Sequence, residues 1–225
     1  MQTLINQVIK RYASYVKKLK QNTSNLCYDA FIYETENPEF PNFMSFLEKF
    51  NLNIDILQNS KEDTKKICHG TYDRFWADSI SESPKAISFN KYKTSINLET
   101  YLYQNINQKH KIAISRFRLS NHSLMIEKGR HMRPKIERNV RFCYLCKNVV
   151  ENEEHCLLLC PLYTPERQIL KNVCKKNCNM YDSLNIEQKF VFIMSNENID
   201  ILKTLGKFIA GSMGLREKII GYFFS

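Results

Sequence analysis

Four potential metal ligands lie within 18 residues of this chain, and they constrain its fold more than any other feature. The run FCYLCKNVVENEEHCLLLC (142–160) spaces them as C-x2-C-x8-H-x4-C, with Cys143, Cys146, His155 and Cys160 at the ligand positions. Thiolates and imidazoles are the donors that Zn²⁺ prefers, whereas Mg²⁺ and Ca²⁺ prefer oxygen. Because four protein ligands leave no open coordination position, the spacing predicts one structural zinc site embedded in the fold.

A neighbouring cysteine leaves the choice of ligands open. On an α-helix, Cys156 and Cys160 would be four residues apart on one face, so a four-cysteine site without His155 is a second possibility. Cys174 and Cys178 have the same spacing, but two ligands do not make a site, and core packing is the simpler interpretation. A redox-sensitive zinc site that uses Cys156 as a spare thiol is a further, weaker hypothesis.

The distribution of cysteines also bears on the compartment. Six of the eight cysteines lie between 143 and 178, and a tight cluster of this kind favours metal binding in a reducing environment. Lys10 and Arg11 interrupt the first apolar residues, and no stretch approaches the roughly 20 apolar residues of a membrane span. We therefore expect an intracellular protein, nuclear or cytoplasmic, with no membrane partner.

The remaining sequence favours helices. Apolar residues recur at helical spacing over 4–19, and lysines and arginines occupy the opposite side. Thr164 followed by Pro165 is typical of a helix start. Other helices are predicted over 43–57, 60–80, 94–106, 109–121, 184–194 and 199–208.

These elements predict a mostly α fold, a helical bundle with an embedded zinc knuckle. We expect three parts along the chain. They are a helical N-terminal region (1–107), a basic helix with the zinc-knuckle region (108–180), and C-terminal helices that pack on the same core (181–225).

Positive charge is concentrated just before the cysteines. Residues 109–141 hold ten Lys or Arg against two Glu, which gives +8 of the +10 carried by the whole chain. Such a segment is a footprint for phosphate, although a solvated surface is the alternative. If 109–122 is helical, Lys111, Ser115, Arg118 and His122 form one polar stripe. Arg116 falls in the apolar arc instead, with its stem expected to be buried and its charged head to reach solvent.

The stripe and the run that follows it define a predicted nucleic-acid-binding surface. Contacts to phosphate would give affinity, and aromatic rings would stack on bases. Tyr163 is a further stacking candidate. The predicted contact residues are Lys111, Arg118, His122, Lys128, Arg130, Arg133, Lys135, Arg138, Arg141 and, for stacking, Tyr144.

Three segments around the cysteines form a recognisable series: RFRLSNHSLMIEKGR (116–130), the knuckle with Glu153 and Glu154 before its histidine, and CPLYTPER (160–167). Together they resemble the C-terminal zinc-binding region of non-LTR retrotransposon reverse transcriptases of the jockey kind. The likeness covers about 76–220 and includes LGKF (205–208) and Arg216 near its end. Cys156 departs from the pattern, because the family tends to have an aromatic or aliphatic residue there.

The resemblance implies a zinc-binding tail that holds template RNA or target DNA beside a polymerase domain, which would be its partner. Members of the family carry paired aspartates that hold catalytic metals, and no two aspartates are adjacent in this chain. We therefore predict a non-catalytic, nucleic-acid-binding module, with RNA and DNA both open. The alternative is a zinc-stapled helical scaffold or protein-interaction domain.

Overall fold

A computed structural model describes residues 2–24, 26–37, 48, 61–147 and 149–224. Their contacts separate two compact units, Met1–Ser79 and Ile80–Ser225. Helices dominate this part of the chain, and its extended segments pair only in an isolated antiparallel bridge between Phe142 and Val150. The prediction of a mostly α fold is confirmed. No helix in the described ranges combines the length and the apolar character needed to cross a membrane.

The first unit contains α1 (Gln2–Gln21), α2 (Leu26–Glu36) and most of α3 (Lys61–Ser81). Helix α1 contacts α2, and it contains the predicted helix over 4–19. Val16 and Leu19 of α1 are buried, as are Phe31 of α2 and Tyr72 of α3. The lysines of α1 at positions 17, 18 and 20 are exposed. The predicted helix over 43–57 lies almost wholly outside the described residues.

The second unit is organised around its last helix. That helix packs against two others of the unit, and a buried cluster that includes Phe117, Leu170 and Leu205 lies among them. A Cβ built on Gly206 would lie 2.6 Å from the Cβ of His110, so glycine permits the close approach of two helices. The helices are α4 (Ile87–Asn90), α5 (Gln108–Arg118), α6 (Met125–His131), α7 (Thr164–Asn177), α8 (Ile186–Ser195) and α9 (Ile199–Phe224).

Two local predictions fare differently. A helix does begin at the predicted point, with Pro165 in its first turn, but Thr164 is its first residue rather than its cap. The Thr164 hydroxyl donates to the Pro161 carbonyl at 2.8 Å and does not cap α7. The predicted helix over 94–106 is wrong, because only Thr100–Leu102 forms a short 3-10 turn there. The Tyr101 hydroxyl bonds the Ser115 hydroxyl at 2.9 Å, and this tertiary contact holds an irregular loop against α5.

Candidate metal centre and its surroundings

The first two candidate ligands lie on a tight hairpin. The Cys143 N–H donates to the Val149 carbonyl at 2.9 Å, beside the bridge between Phe142 and Val150. The chain then turns so that the Lys147 N–H reaches the Cys143 carbonyl at 2.8 Å. Lys147 has a φ of 60°, in the left-handed region that costs a residue with a Cβ roughly 1–2 kcal/mol. The hairpin thereby brings Cys143 and Cys146 to one side of the turn.

The other two candidate ligands are brought together by a π-helical turn over His155–Leu159. The Cys160 N–H donates to the His155 carbonyl at 2.8 Å, five residues back rather than four. A π turn therefore aligns residues five apart, whereas an α turn would have aligned Cys156 with Cys160. This widened turn selects the histidine over its neighbour.

The four side chains meet in one cluster. One ligand atom from each of Cys143, Cys146, His155 and Cys160 lies within 4.8 Å of all the others. A tetrahedral zinc site has ligand–ligand distances of roughly 3.5–3.8 Å for ordinary bond lengths, so small side-chain movements would close these atoms around an ion. The residues are therefore placed to hold a metal ion.

The protonation of the cluster is consistent with that role. A hydrogen bond between the two thiols raises the pKa of Cys143 to about 12 and lowers the pKa of Cys160, so metal binding there must release protons. The Nε2 of His155 lies 3.4 Å from the Cys146 sulfur. Its Nδ1 is buried and has no hydrogen-bond partner among the described residues, so no protein group there competes for that nitrogen.

Cys156 lies outside the ligand cluster. Its side chain is 1% exposed and belongs to the apolar core, and burial raises the pKa of its thiol well above the ordinary value. A buried, protonated thiol is a poor nucleophile, which disfavours the redox hypothesis built on it. Cys174 is buried in the same core, in agreement with its predicted packing role.

A buried ion pair lies beside the hairpin that carries Cys143 and Cys146. Both oxygens of Glu151 accept from the Arg216 guanidinium, at 2.8 and 2.6 Å, and both side chains are 1% exposed. Glu151 also accepts from the Met125 N–H at 2.7 Å, and it lies 3.6 Å from the Cys143 sulfur. The pair thus fixes the position of a candidate ligand from the C-terminal half of α9.

Another arginine holds the π turn. The Arg167 guanidinium donates to the carbonyls of Leu157 at 2.9 Å, Cys156 at 3.3 Å and Cys160 at 2.6 Å. These carbonyls end a helical turn and lack partners within it, so the arginine satisfies them. It also offsets the negative charge that three thiolates would bring.

A second buried acid ties the knuckle to the segment before it. Glu153 accepts from His122 Nε2 at 2.9 Å and from the hydroxyls of Ser120 at 2.8 Å and Ser88 at 2.6 Å. Burial disfavours the charged carboxylate, but the hydrogen bonds from His122 and Ser88 outweigh it and lower the pKa of Glu153 to about 2. Glu153, two residues before the candidate ligand His155, is therefore a structural anchor.

Three of the predicted nucleic-acid contacts have buried side chains and do not lie on the surface, where such a contact would need them. The first is Arg118, which is 5% exposed. Its guanidinium lies 5.6 Å from the ring centre of Tyr92 and 4.9 Å from that of Tyr101. It pairs with Glu99 and donates to the Met194 carbonyl. Acid and carbonyl partners from distant parts of the sequence draw this cation inward.

His122 and Arg141 are the other two. The His122 side chain is 2% exposed and is held by Glu153. Arg141 is 3% exposed and donates to the carbonyls of Ile136 at 2.9 Å and Ile126 at 2.5 Å. A Cβ on Gly129 would lie 2.9 Å from the Cγ of Arg141, so glycine makes room for the arginine stem.

Three predicted contacts are half-buried and bound within the chain. Lys111 donates to the Leu102 carbonyl at 2.8 Å, Arg130 pairs with Glu127 at 2.9 Å, and Arg138 reaches the Pro84 carbonyl at 3.4 Å. Because these three side chains are already bound, they leave less positive charge available to a nucleic acid than their number suggests. Tyr144, the predicted stacking residue, is also half-buried, and Tyr163 is 1% exposed.

The remaining predicted cations face solvent. Lys128, Arg133 and Lys135 are exposed in and just after α6. Arg116 is also exposed, as its charged head was expected to be. The outward charge of the basic segment is therefore concentrated in fewer residues than the sequence indicates.

Sequence reasoning missed the supporting residues Glu151 and Arg216. Arg216 follows Ile209 and Ser212 at helical spacing on the buried face of α9. A cation on an otherwise buried helical face requires an acid, and that signal was available in the sequence.

No protein-family model, curated protein or solved structure matches this chain.

Proposed function

We propose that this chain is a zinc-binding module that binds nucleic acid through its outward cations and has no catalytic activity of its own. It would serve as the tail of a retrotransposon reverse transcriptase, near template RNA or target DNA. The observation that carries the proposal is the four-residue cluster Cys143, Cys146, His155 and Cys160, whose ligand atoms lie within 4.8 Å of one another.

The donor set supports zinc as the metal. Three sulfur atoms and one imidazole suit Zn²⁺, and they offer none of the oxygen atoms that Mg²⁺ or Ca²⁺ would need. Three of the four residues are buried and Cys146 is half-buried. A closed, largely buried site of this kind stabilises a fold and leaves no position for a substrate, which is why we propose no reaction at the metal.

The exposed cations support nucleic acid as the partner. Lys128, Arg133 and Lys135 lie within the 15 residues that precede Cys143. Cations grouped beside a rigid, metal-held hairpin can contact successive phosphates without reorganising. Such contacts give affinity without a preference for sequence.

The contacts between the resembling segments support the proposed family. Ser120 and His122 of the segment 116–130 bond Glu153 of the knuckle. Arg167, in the segment 160–167, bonds the carbonyl of Cys160 at 2.6 Å. The segments that carry the resemblance therefore contact one another directly within one structural unit.

One observation favours the scaffold alternative. Arg118, Arg141 and His122 are buried and engaged within the chain, which reduces the charge available to a nucleic acid. In that alternative the metal only fastens the hairpin to the helices, and the outward cations are a solvated surface.

The decisive experiment measures RNA binding against salt concentration. We expect the parent protein to bind a 20-nucleotide single-stranded RNA with an affinity that falls steeply as salt rises. Replacing Lys128, Arg133 and Lys135 by Ala should lower the log–log salt slope by roughly 2–3, because each lost phosphate contact contributes about 0.7–0.9.

A matched control removes the same charge elsewhere. Lys17, Lys18 and Lys20 are exposed on α1, and their triple replacement by Ala should leave the slope closer to that of the parent. If the Lys128, Arg133 and Lys135 variant keeps the parent's affinity and slope, these cations do not bind RNA and the scaffold function takes the lead.

A further inference from the structure

A groove of about 550 Å³ lies between α5 and α9. On α5 it is lined by Lys109, Ile112 and Arg116, which recur at i, i+3 and i+7 and so form one stripe. On α9 it is lined by Met213 and Gly214, among others. Ile112 is 44% exposed, so an apolar surface is open to solvent within the groove.

The groove also contains buried polar atoms that lack partners. His122 and Ser123 line it, and neither the Nδ1 of His122 nor the hydroxyl of Ser123 has a hydrogen-bond partner among the described residues. The His122 side chain is 2% exposed, and its Nε2 is committed to Glu153. Because Nε2 donates to that carboxylate, Nδ1 is the ring nitrogen left for a ligand to bond.

The charges along the groove favour an anion. Lys109 and Arg116 are exposed on its α5 side, about 10 Å apart along the helix axis, and Glu217 is exposed on the α9 side. Two cations therefore face one acid. A ligand that fits must combine a flat or apolar body, a hydrogen-bonding edge and negative charge.

We propose that the groove receives an unpaired nucleobase of a bound single strand, with the adjoining phosphates at Lys109 and Arg116. The inference rests on the proposed nucleic-acid function and names a second part of its surface. The faces of the base pack on apolar side chains such as Ile112 and Met213, and its edge supplies the partners that His122 and Ser123 lack. An apolar helix from a protein partner would leave both polar groups unsatisfied.

A glycine of α9 permits a clean test. A Cβ on Gly214 meets nothing within 4 Å, so Gly214→Trp can fill the groove without a backbone clash. Gly211 is also open at its Cβ but does not line the groove, so Gly211→Trp is the matched control. Gly214→Leu is a second, smaller filling variant, and circular dichroism checks that each variant keeps its helices.

The probes are a 20-nucleotide oligouridine and an abasic strand with the same number of phosphates. We expect the parent and Gly211→Trp to bind the oligouridine about tenfold more tightly than the abasic strand, from the stacking of one base. Gly214→Trp should reduce this ratio to below about threefold. Gly214→Leu should reduce it by a smaller factor.

The outcomes separate the two proposals. If the parent binds neither strand, the proposed function is wrong and this inference is overturned with it. If the parent binds both strands equally, or if Gly214→Trp and Gly214→Leu keep the parent's ratio, RNA binding stands and the groove is not a base site.

Discussion

The knuckle (141–163) and the stretch 128–138 lie close together in sequence, yet they differ in how many of their charged groups reach solvent. In the knuckle, Arg141, Glu151 and His155 are all less than 4% exposed, and each contacts a defined partner. In the stretch before it, Lys128 and Lys135 are exposed to solvent. The knuckle keeps most of its charged groups inside, where they hold it together. The stretch presents Lys128, Arg133 and Lys135 to solvent, although Arg130 and Arg138 are bound within the chain.

Because of this difference in burial, substitutions in the two regions should affect different properties of the protein. When a charge is buried and paired, removing its partner leaves it buried and uncompensated, which destabilises the fold. An exposed cation contributes little to stability but remains free to meet a phosphate. Substitutions in the knuckle should therefore change unfolding, whereas substitutions in the stretch should change binding.

The largest expected effect is on the metal ligands. Cys143→Ser and His155→Ala should each release zinc and unfold the knuckle, because structural zinc binds with about 10–16 kcal/mol in zinc-finger peptides and that energy is also folding energy. Metal content after dialysis and thermal unfolding measure this. Cys156→Ala is the control and should keep its zinc. Zinc retained by His155→Ala but lost from Cys156→Ala would establish a four-cysteine site.

A smaller but still large effect is expected from the buried pair. Arg216→Met should destabilise the second unit by about 3–5 kcal/mol in urea unfolding, because the Glu151 carboxylate stays buried without its cation. The double variant with Glu151→Gln should recover part of that loss. Lys135→Met, in the exposed stretch, should change stability by about 0.5 kcal/mol or less. Equal effects of Arg216→Met and Lys135→Met would remove the contrast between the regions.

The smallest effect concerns a knuckle residue that faces outward. Lys147 is exposed with a φ of 60°, so Lys147→Gly should stabilise the protein by up to about 1 kcal/mol through relief of backbone strain. Lys135→Gly removes the same charge where φ is not positive, and it should destabilise by about 0.5–1 kcal/mol. If both changes destabilise equally, the turn at Lys147 stores no strain.

The candidate ligands could be predicted because their spacing is local. C-x2-C fits one turn of a hairpin, and H-x4-C fits one widened helical turn. The choice of His155 over Cys156 could not be predicted in the same way. It depends on whether the Cys160 N–H bonds the carbonyl five or four residues back, and periodicity alone does not distinguish a π turn from an α turn.

The direction of the cations was less predictable, because their partners are remote. Arg118 lies on a helix that was correctly predicted, but Glu99 is 19 residues before it and Met194 is 76 residues after it. Helical periodicity fixes the side of α5 that Arg118 occupies. It does not reveal that two tyrosines and an acid surround the Arg118 guanidinium on that side. Nor does it reveal that the apolar side chain of Leu119, the next residue, is 63% exposed.

The pairing of Glu151 with Arg216 limits the order in which the protein can fold while it is being synthesised. The two residues are 65 positions apart, so at typical rates of 5–20 residues per second the acid is made roughly 3–13 s before its cation. Throughout that interval the carboxylate must remain hydrated, since burying it alone would cost several kcal/mol. Under the proposed function, a metal ion can close the hairpin as soon as Cys160 has been made, but Glu151 can be buried with its cation only after Arg216 of α9 has been made. We therefore expect folding during synthesis to take two steps, metal binding by the hairpin first and packing of α9 against it second.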